Sequence, residues 1–282
     1  VKSLLVIMRL TLLEASRRRI LQAAVVLGVL FLGLFSLGFY FMRGTVETAA
    51  SNAPAAADIG VKEFYNFLLM AGLYAISFLS IAMGAILAAD TLAGEVNSGT
   101  IQALVAKPIR RADIVLGKWL GFAVLLGSYL VLMAGGVMLS VWLQTGYAAP
   151  NILPGLLLMY ADCLLIMTVT LACSSSLSTL ATGGVVFGMY GIAFLGGWVE
   201  QLGTLAGNVT AVNIGILSSL AVPSEALWRR AAFEMTSPLV QRIGFSPFSA
   251  ASPPSDLMVV YAGLYFLAAM ALAIRQFNRR DL

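Results

Sequence analysis

"DTLAGEVNSGTIQALVAKPIRRADIVLGK", residues 90–118, gathers three glycines, one proline and seven charged side chains between two long apolar runs. Those flanking runs decide the fold. The chain has 282 residues, 60% hydrophobic and 11% charged, with a positive mean hydropathy, whereas a soluble domain carries roughly 25% charged residues. An integral membrane protein follows, built from helices of about 20 residues each. Hydropathy predicts six spans, over residues 20–42, 64–89, 115–143, 154–175, 181–200 and 257–275, in one transmembrane domain covering 1–282.

Charge sets the orientation. With the N-terminus in the cytoplasm, Lys2, Arg9, Arg17, Arg18, Arg19, Lys107, Arg110, Arg111, Lys118, Arg275, Arg279 and Arg280 lie inside. Arg43, Lys62, Arg229, Arg230 and Arg242 lie outside, the last three in one long extracytoplasmic segment whose charges count for less. Both termini are therefore expected in the cytoplasm, with the formal charge of +4 reporting orientation rather than affinity for nucleic acid. The stretch "SRRRIL", residues 16–21, reads as a cationic stop at the inner face of the first span, not as a twin-arginine signal. Ahead of it, "LLVIMRLTLLEASRRR" forms an amphipathic arm, residues 1–19, suited to the inner membrane surface.

Several chemistries are excluded. There is no histidine, which removes the commonest general base and transition-metal ligand. Cys163 and Cys173 are ten residues apart in one span, about 15 Å along a helix and too far for a disulfide. Intramembrane proteolysis would need a Ser-His pair or two membrane carboxylates, and only Asp162 lies deep in a predicted span. Met159, Cys163 and Met167 recur along one face of the fourth span, but such a stripe reads as packing before it reads as a soft-metal site. No metal or cofactor is expected on this chain.

Asp162 is the exception inside the bilayer. Counting inward puts Ser77, Ser128, Tyr129 and Tyr190 at its depth, and these residues form the expected translocation pathway. A carboxylate there is costly unless it faces a wet cavity or the protein interior. Its two readings are a polar point in that pathway and a hydrogen bond that fixes helix packing.

Residues 201–256 read as an extracytoplasmic excursion, with room for an accessory protein on that side. Within it "VPSEALWRRAAFEM" predicts a short helix capped by Ser224, lying on the outer interface with Leu227, Trp228, Ala231 and Met235 on one side. The Asn208-Val-Thr210 sequon reads as chance, and "SPFSAASPPSD" as a connector into the sixth span.

A tight cytoplasmic turn needs only a few residues, yet the connector uses nearly thirty. Ser98 or Thr100 can cap a stub helix "IQALVA", Pro108 ends it, and Asp113 can cap the third span. Ile101, Leu104 and Val105 then form one apolar knob, ringed by Glu95, Lys107, Arg110 and Arg111. Spacing alone leaves two readings open, a knob for a groove on a soluble partner and a stub packed against the protein's own helix ends.

The run Asp90, Gly94-Glu95, Gly99-Thr100-Ile101, Lys107-Pro108-Ile109-Arg110 and Gly117-Lys118 resembles the signature connector of ABC-2 type ABC-transporter permeases. "LLEASRRRIL" and "FNRRDL" resemble the two termini of that family, so the resemblance covers the whole chain. Within the family it is most similar to the branch associated with multicopper-enzyme maturation, such as the permease of the nitrous oxide reductase maturation system. The resemblance implies an all-α, six-span ABC-2 domain of the type V exporter kind in a bacterial cytoplasmic membrane. It makes the stub a coupling helix, with Glu95, Gly99, Thr100, Ile101, Leu104, Val105, Lys107, Pro108 and Arg110 contacting a separate cytoplasmic ATPase. Two ATPase copies and a second permease subunit, in a homodimer or a pair with a related permease, are implied as well.

No GxxxxGK[ST] occurs in the chain, so ATP and magnesium belong to the partner ATPase and this chain is expected to be non-catalytic. Gly184 with Gly188, and Gly117 with Gly121, offer small faces for close helix approach, including at a subunit interface. Membrane lipids are the remaining partner. The competing function is an ATP-independent carrier or channel that uses the intramembrane carboxylate.

Overall fold

A computed structural model of the protein describes residues 2–51, 57–97, 110–237 and 254–279. These residues form helices α1 (Lys2–Arg17), α2 (Arg19–Ser51), α3 (Ala57–Asn97), α4 (Arg111–Thr145), α5 (Ile152–Ser174), α6 (Thr179–Ala206), α7 (Val209–Ala221), α8 (Ser224–Met235) and α9 (Asp256–Arg279), with no strand among them. Six of these, α2 to α6 and α9, are long and apolar enough to cross a membrane. Each predicted span falls on one of them, five wholly within their helix and the fourth, 154–175, running one residue past the end of α5 at Ser174. The helices are longer than the spans because helical hydrogen bonding continues past the point where hydropathy falls. Gly146 and Gly207 end α4 and α6 at φ 69° and 65°, a left-handed backbone that side chains resist.

The spans alternate in direction. The Ser174 hydroxyl donates to the carbonyl of Ala89, the Arg111 guanidinium to that of Asn278, and the Ser175 hydroxyl to Gln276. The ends of α3, α5 and α9 and the starts of α4 and α6 therefore share one end of the bundle, here called the connector end. α3, α4, α5 and α9 make the core, where Leu73, Ile76, Ile114, Met133 and Phe277 are fully buried. α2 lies against α3 and α4 with most of its surface exposed, Leu34, Tyr40 and Phe41 among it, as a lipid-facing helix should.

The amphipathic arm does not lie free on a surface. α1 runs alongside α4 in register: Ser3 donates to Asp113 at 2.9 Å, a Cβ on Gly117 would meet Ile7 at 2.8 Å, and one on Gly121 would meet Thr11 at 2.8 Å. The two α4 glycines thus serve contact within the chain, not a subunit interface. Ile7, Thr11 and Ala15 form the buried line of α1, while Leu5, Val6, Leu10 and Leu13 stay exposed on its other apolar side. Asp113 does not cap α4. Arg110, in extended backbone, holds the N-cap position without a side-chain cap, and Asp113 sits inside the first turn, where a carboxylate favours the helix dipole. Gly121→Leu should lift α1 from α4. Overpacking by about 1–3 kcal/mol corresponds to tryptic cutting at Arg9 and Arg17 that is roughly fivefold to a hundredfold faster, with the rest of the bundle intact.

Candidate functional site

Most of the connector lies outside the described residues: Gly99, Thr100, Ile101, Leu104, Val105, Lys107 and Pro108 all fall there. Its two roots are in place. Glu95 belongs to the last turn of α3, and Arg110 is exposed at the start of α4. Just before the connector, Asp90 accepts a hydrogen bond from Arg18 at 2.9 Å and one from Thr179 at 3.4 Å. Arg18 also pairs with Glu14 at 2.6 Å. One carboxylate thereby ties the root of the connector to the α1–α2 elbow and to the start of α6.

The second site lies deeper. Asp162 is eleven positions into α5 counting from Ile152 as the first, about 15 Å along the helix and near the bilayer middle, and is only 1% exposed. The predicted surroundings are partly wrong. Ser128 is exposed and donates to the carbonyl of Leu125 in its own helix, and Tyr129 donates to the carbonyl of Ala24 on α2. Both share the depth of Asp162 but turn elsewhere. Ser77 is buried on α3, and Tyr190 of α6 lies within electrostatic reach of Asp162.

What surrounds Asp162 instead comes from residues 209–235. α7 and α8 form a pair bent by 104°, and its contacts show a re-entrant course. α7 packs antiparallel to α6, with Ala211 against Gly203, Glu200 against Gly215 and Ser218 against Gly196. α8 then returns along α6 and α5: Glu225 fills the space a Cβ on Gly197 would occupy, Arg229 pairs with Glu200 at 2.8 Å, and Met235 covers Gly155. The tip of the pair, Val222-Pro223, sits at the level of Asp162. The expected helix on the outer interface is therefore a buried one, because α8 finds its partners inside. Leu227, Trp228, Ala231 and Met235 are buried as one apolar side, and Glu225 and Arg229 are buried too. Ser224 is not the cap. Pro223 holds that position, and Ser224 is the first residue of α8, fully buried beside Asp162. Asn208 of the sequon caps α7 by accepting from the amides of Thr210 and Ala211.

An aromatic wall closes the cluster. Tyr74 of α3 packs on Trp228 with ring centroids 4.9 Å apart and on Phe194 at 6.1 Å, and the Trp198 indole hydrogen-bonds to its hydroxyl. At the other end of the bundle from the connector, the far end, Asn66 donates to the Tyr147 hydroxyl at 2.9 Å and to the carbonyl of Met235 at 3.1 Å, anchoring α8. Burial pushes the Tyr147 phenol up from its ordinary pKa. A half-open cavity of about 280 Å³ also lies there, lined by Glu200, Ser219 and Arg229 with Ile216, Leu220 and Met258.

A family description, ABC-2 family transporter protein, matches residues 5–282. The chain belongs to the ABC-2 transporter family. No curated protein matches it. The ABC-2 protein is an integral membrane permease subunit of an ABC transporter, a family that works with an ABC ATPase. In this ABC-2 permease Met159, Cys163 and Met167 are fully buried and belong to the packed core. Among the described residues no group of three His, Cys, Asp or Glu side chains is placed to hold a metal ion.

Proposed function

We propose that this permease is the membrane half of an ATP-driven exporter or mechanotransmitter, driven through residues 95–110 by a separate cytoplasmic ATPase. The family match over residues 5–282 carries the reading. In it Glu95, Gly99, Thr100, Ile101, Leu104, Val105, Lys107, Pro108 and Arg110 form the ATPase contact, and the connector end faces the cytoplasm of a bacterium. ATP and magnesium stay on the ATPase, so this chain performs no hydrolysis.

The Asp90 clasp supports a mechanical route. Any tilt of the connector root pulls on Arg18 and Thr179 together, and so on α2 and α6. Docking then shifts the transmembrane equilibrium by whatever the ATPase gains in one state over the other, about 1.4 kcal/mol for each tenfold change. Two such permeases, each with its own ATPase, would complete one pathway. Gly184 and Gly188 support that pairing, since a Cβ on either meets nothing within 4 Å while Val185 and Phe187 beside them are exposed.

Joint purification with the ATPase tests the reading: the complex should hydrolyse ATP faster when its transported substrate is added. Transport that continues in the absence of ATP would favour the carrier alternative. Orientation has its own test. Single cysteines at Ser51 and Ser252 should react with an impermeant thiol reagent added outside intact cells, and one at Asn278 should not; the reverse pattern inverts the topology.

A further inference from the structure

We propose that Asp162, Glu225 and the break between α7 and α8 form a binding site for one small monovalent cation, reached from the far-end cavity past the Arg229–Glu200 pair. The proposal rests on the permease reading only in placing α5 across the membrane, and it needs no ATPase.

Charge balance is the first argument. Among the described residues, Asp162 on α5, Glu225 on α8 and Glu200 on α6 face a single guanidinium, Arg229. Arg229 is engaged with Glu200 at 2.8 Å and Ser219 at 3.3 Å, and lies one turn from Glu225. Arg230 points elsewhere, pairing with Glu234 at 3.2 Å and Asp256 at 3.1 Å. Tyr74 of α3, Tyr190 of α6 and Cys163 of α5, the other titratable groups around the cluster, bring no positive charge. The helix ends do not correct the imbalance. The N-terminus of α8 brings about half a positive charge and the C-terminus of α7 about half a negative one, side by side at the tip. Asp162 and Glu225, close enough to repel each other, are left short of positive charge in a place where water does not screen them.

Geometry is the second. One oxygen of Asp162, a side chain only 1% exposed, has no hydrogen-bond partner, and the Ser224 hydroxyl, 0% exposed, stands beside that carboxylate. A site built only to fix helix packing would leave no carboxylate oxygen without a partner. Gly197 leaves room for the Glu225 side chain: a Cβ there would stand 3.0 Å from the Glu225 carboxyl carbon. The donors are two carboxylates and a hydroxyl at the break between two helices, a hard all-oxygen set of the kind that takes a proton or sodium where membrane helices are interrupted. With Glu200 neutralised by Arg229, two carboxylates remain, and when they hold one proton between them one further monovalent cation, sodium or a second proton, balances the pair. The cavity lined by Glu200 and Arg229 brings the approach from the far end as far as that ion pair, and Asp162, Ser224 and Glu225 are not part of its lining.

The test uses the full-length permease alone, purified in nanodiscs, as wild type, Asp162→Asn, Glu225→Gln and the surface control Glu234→Gln. A cation that binds only the folded form raises its melting temperature by mass action. Melting temperature is followed against sodium chloride, with N-methylglucamine chloride as the inert salt, and against pH. Wild type and Glu234→Gln should be stabilised by sodium or by acid, and Asp162→Asn and Glu225→Gln should have lost that response. Labelling with dicyclohexylcarbodiimide, which attacks protonated carboxyls in apolar surroundings, separates the two ions. If the ion is a proton, the adduct at Asp162 or Glu225 falls about tenfold for each pH unit above its midpoint and ignores sodium. If it is sodium, added sodium protects against the reagent at fixed pH. The same pH and sodium response in all four proteins, or none in any, overturns the proposal. Because no ATPase is present, that result leaves the coupling reading standing, and loss of coupling leaves this one standing.

Discussion

Leu104→Asp frees the ATPase from a permease that still folds and inserts. Leu104 falls in none of the six spans that hydropathy predicts, so the substitution adds no charge to a membrane-crossing run. If Ile101, Leu104 and Val105 fill one groove, the new carboxylate must either be buried without a partner or hold the stub out of the groove. Truncating an anchor at the centre of an interface costs about 2 kcal/mol or more, and charging it should cost at least as much. That is roughly a thirtyfold loss of affinity, enough to empty a complex at ordinary concentrations. Ile101→Asp should behave in the same way, while Ala103→Asp, on the other side of the predicted stub, should keep the ATPase. The readouts are co-purification and stimulated ATP hydrolysis, with membrane yield of the permease as the control. Full co-purification and full stimulation in both Asp variants would return the stub to the second reading, an element packed on its own chain.

The two sites were not equally legible from sequence, and the reason is physical. Six spans could be read because each needs about 20 apolar residues in a row, a signal that survives without tertiary information. Asp162 stood out as one carboxylate in such a run. Its neighbours did not, because counting residues gives depth but not the direction in which a side chain points. Ser128 and Tyr129 sit at the right height on α4 and face other partners. The re-entrant pair was hidden for a different reason. Glu200, Glu225, Arg229 and Arg230 look like a solvated face until Glu200 is seen to neutralise Arg229 inside the fold. A usable signal was present. α7, "VTAVNIGILSSLA", is an apolar run of 13 residues behind an Asn cap, too short to cross and suited to a segment that enters and turns back. The glycines at 196, 197, 203 and 215 mark where its neighbours come close.

Those glycines give the largest expected effect on folding, in Gly197→Leu. A Cβ at this position lies 3.0 Å from the carboxyl carbon of Glu225 and 3.1 Å from one of its oxygens, so a leucine cannot fit while α8 keeps its place. Either Glu225 leaves the α6 surface, or α8 moves and takes Arg229 away from Glu200. Overpacking costs about 1–3 kcal/mol, and moving α8 instead separates a largely buried ion pair at a cost of up to about 3 kcal/mol. Either outcome takes a sizeable share of the roughly 5–15 kcal/mol that holds a typical domain together, so purified Gly197→Leu should melt well below wild type or aggregate. Gly183→Leu is the matched control on the same helix, because a Cβ there meets nothing within 4 Å. It keeps the melting behaviour of wild type. Gly188→Leu, equally open, should leave the isolated permease stable and act only on pairing of two copies, read as a change in the mass of the assembled particle. One helix then carries two kinds of glycine: those facing α7 and α8 set the fold, and those facing outward are available to a partner. Equal stability of Gly197→Leu and Gly183→Leu would show that α8 is not held against α6 in the membrane, and would take the Asp162–Glu225 site with it.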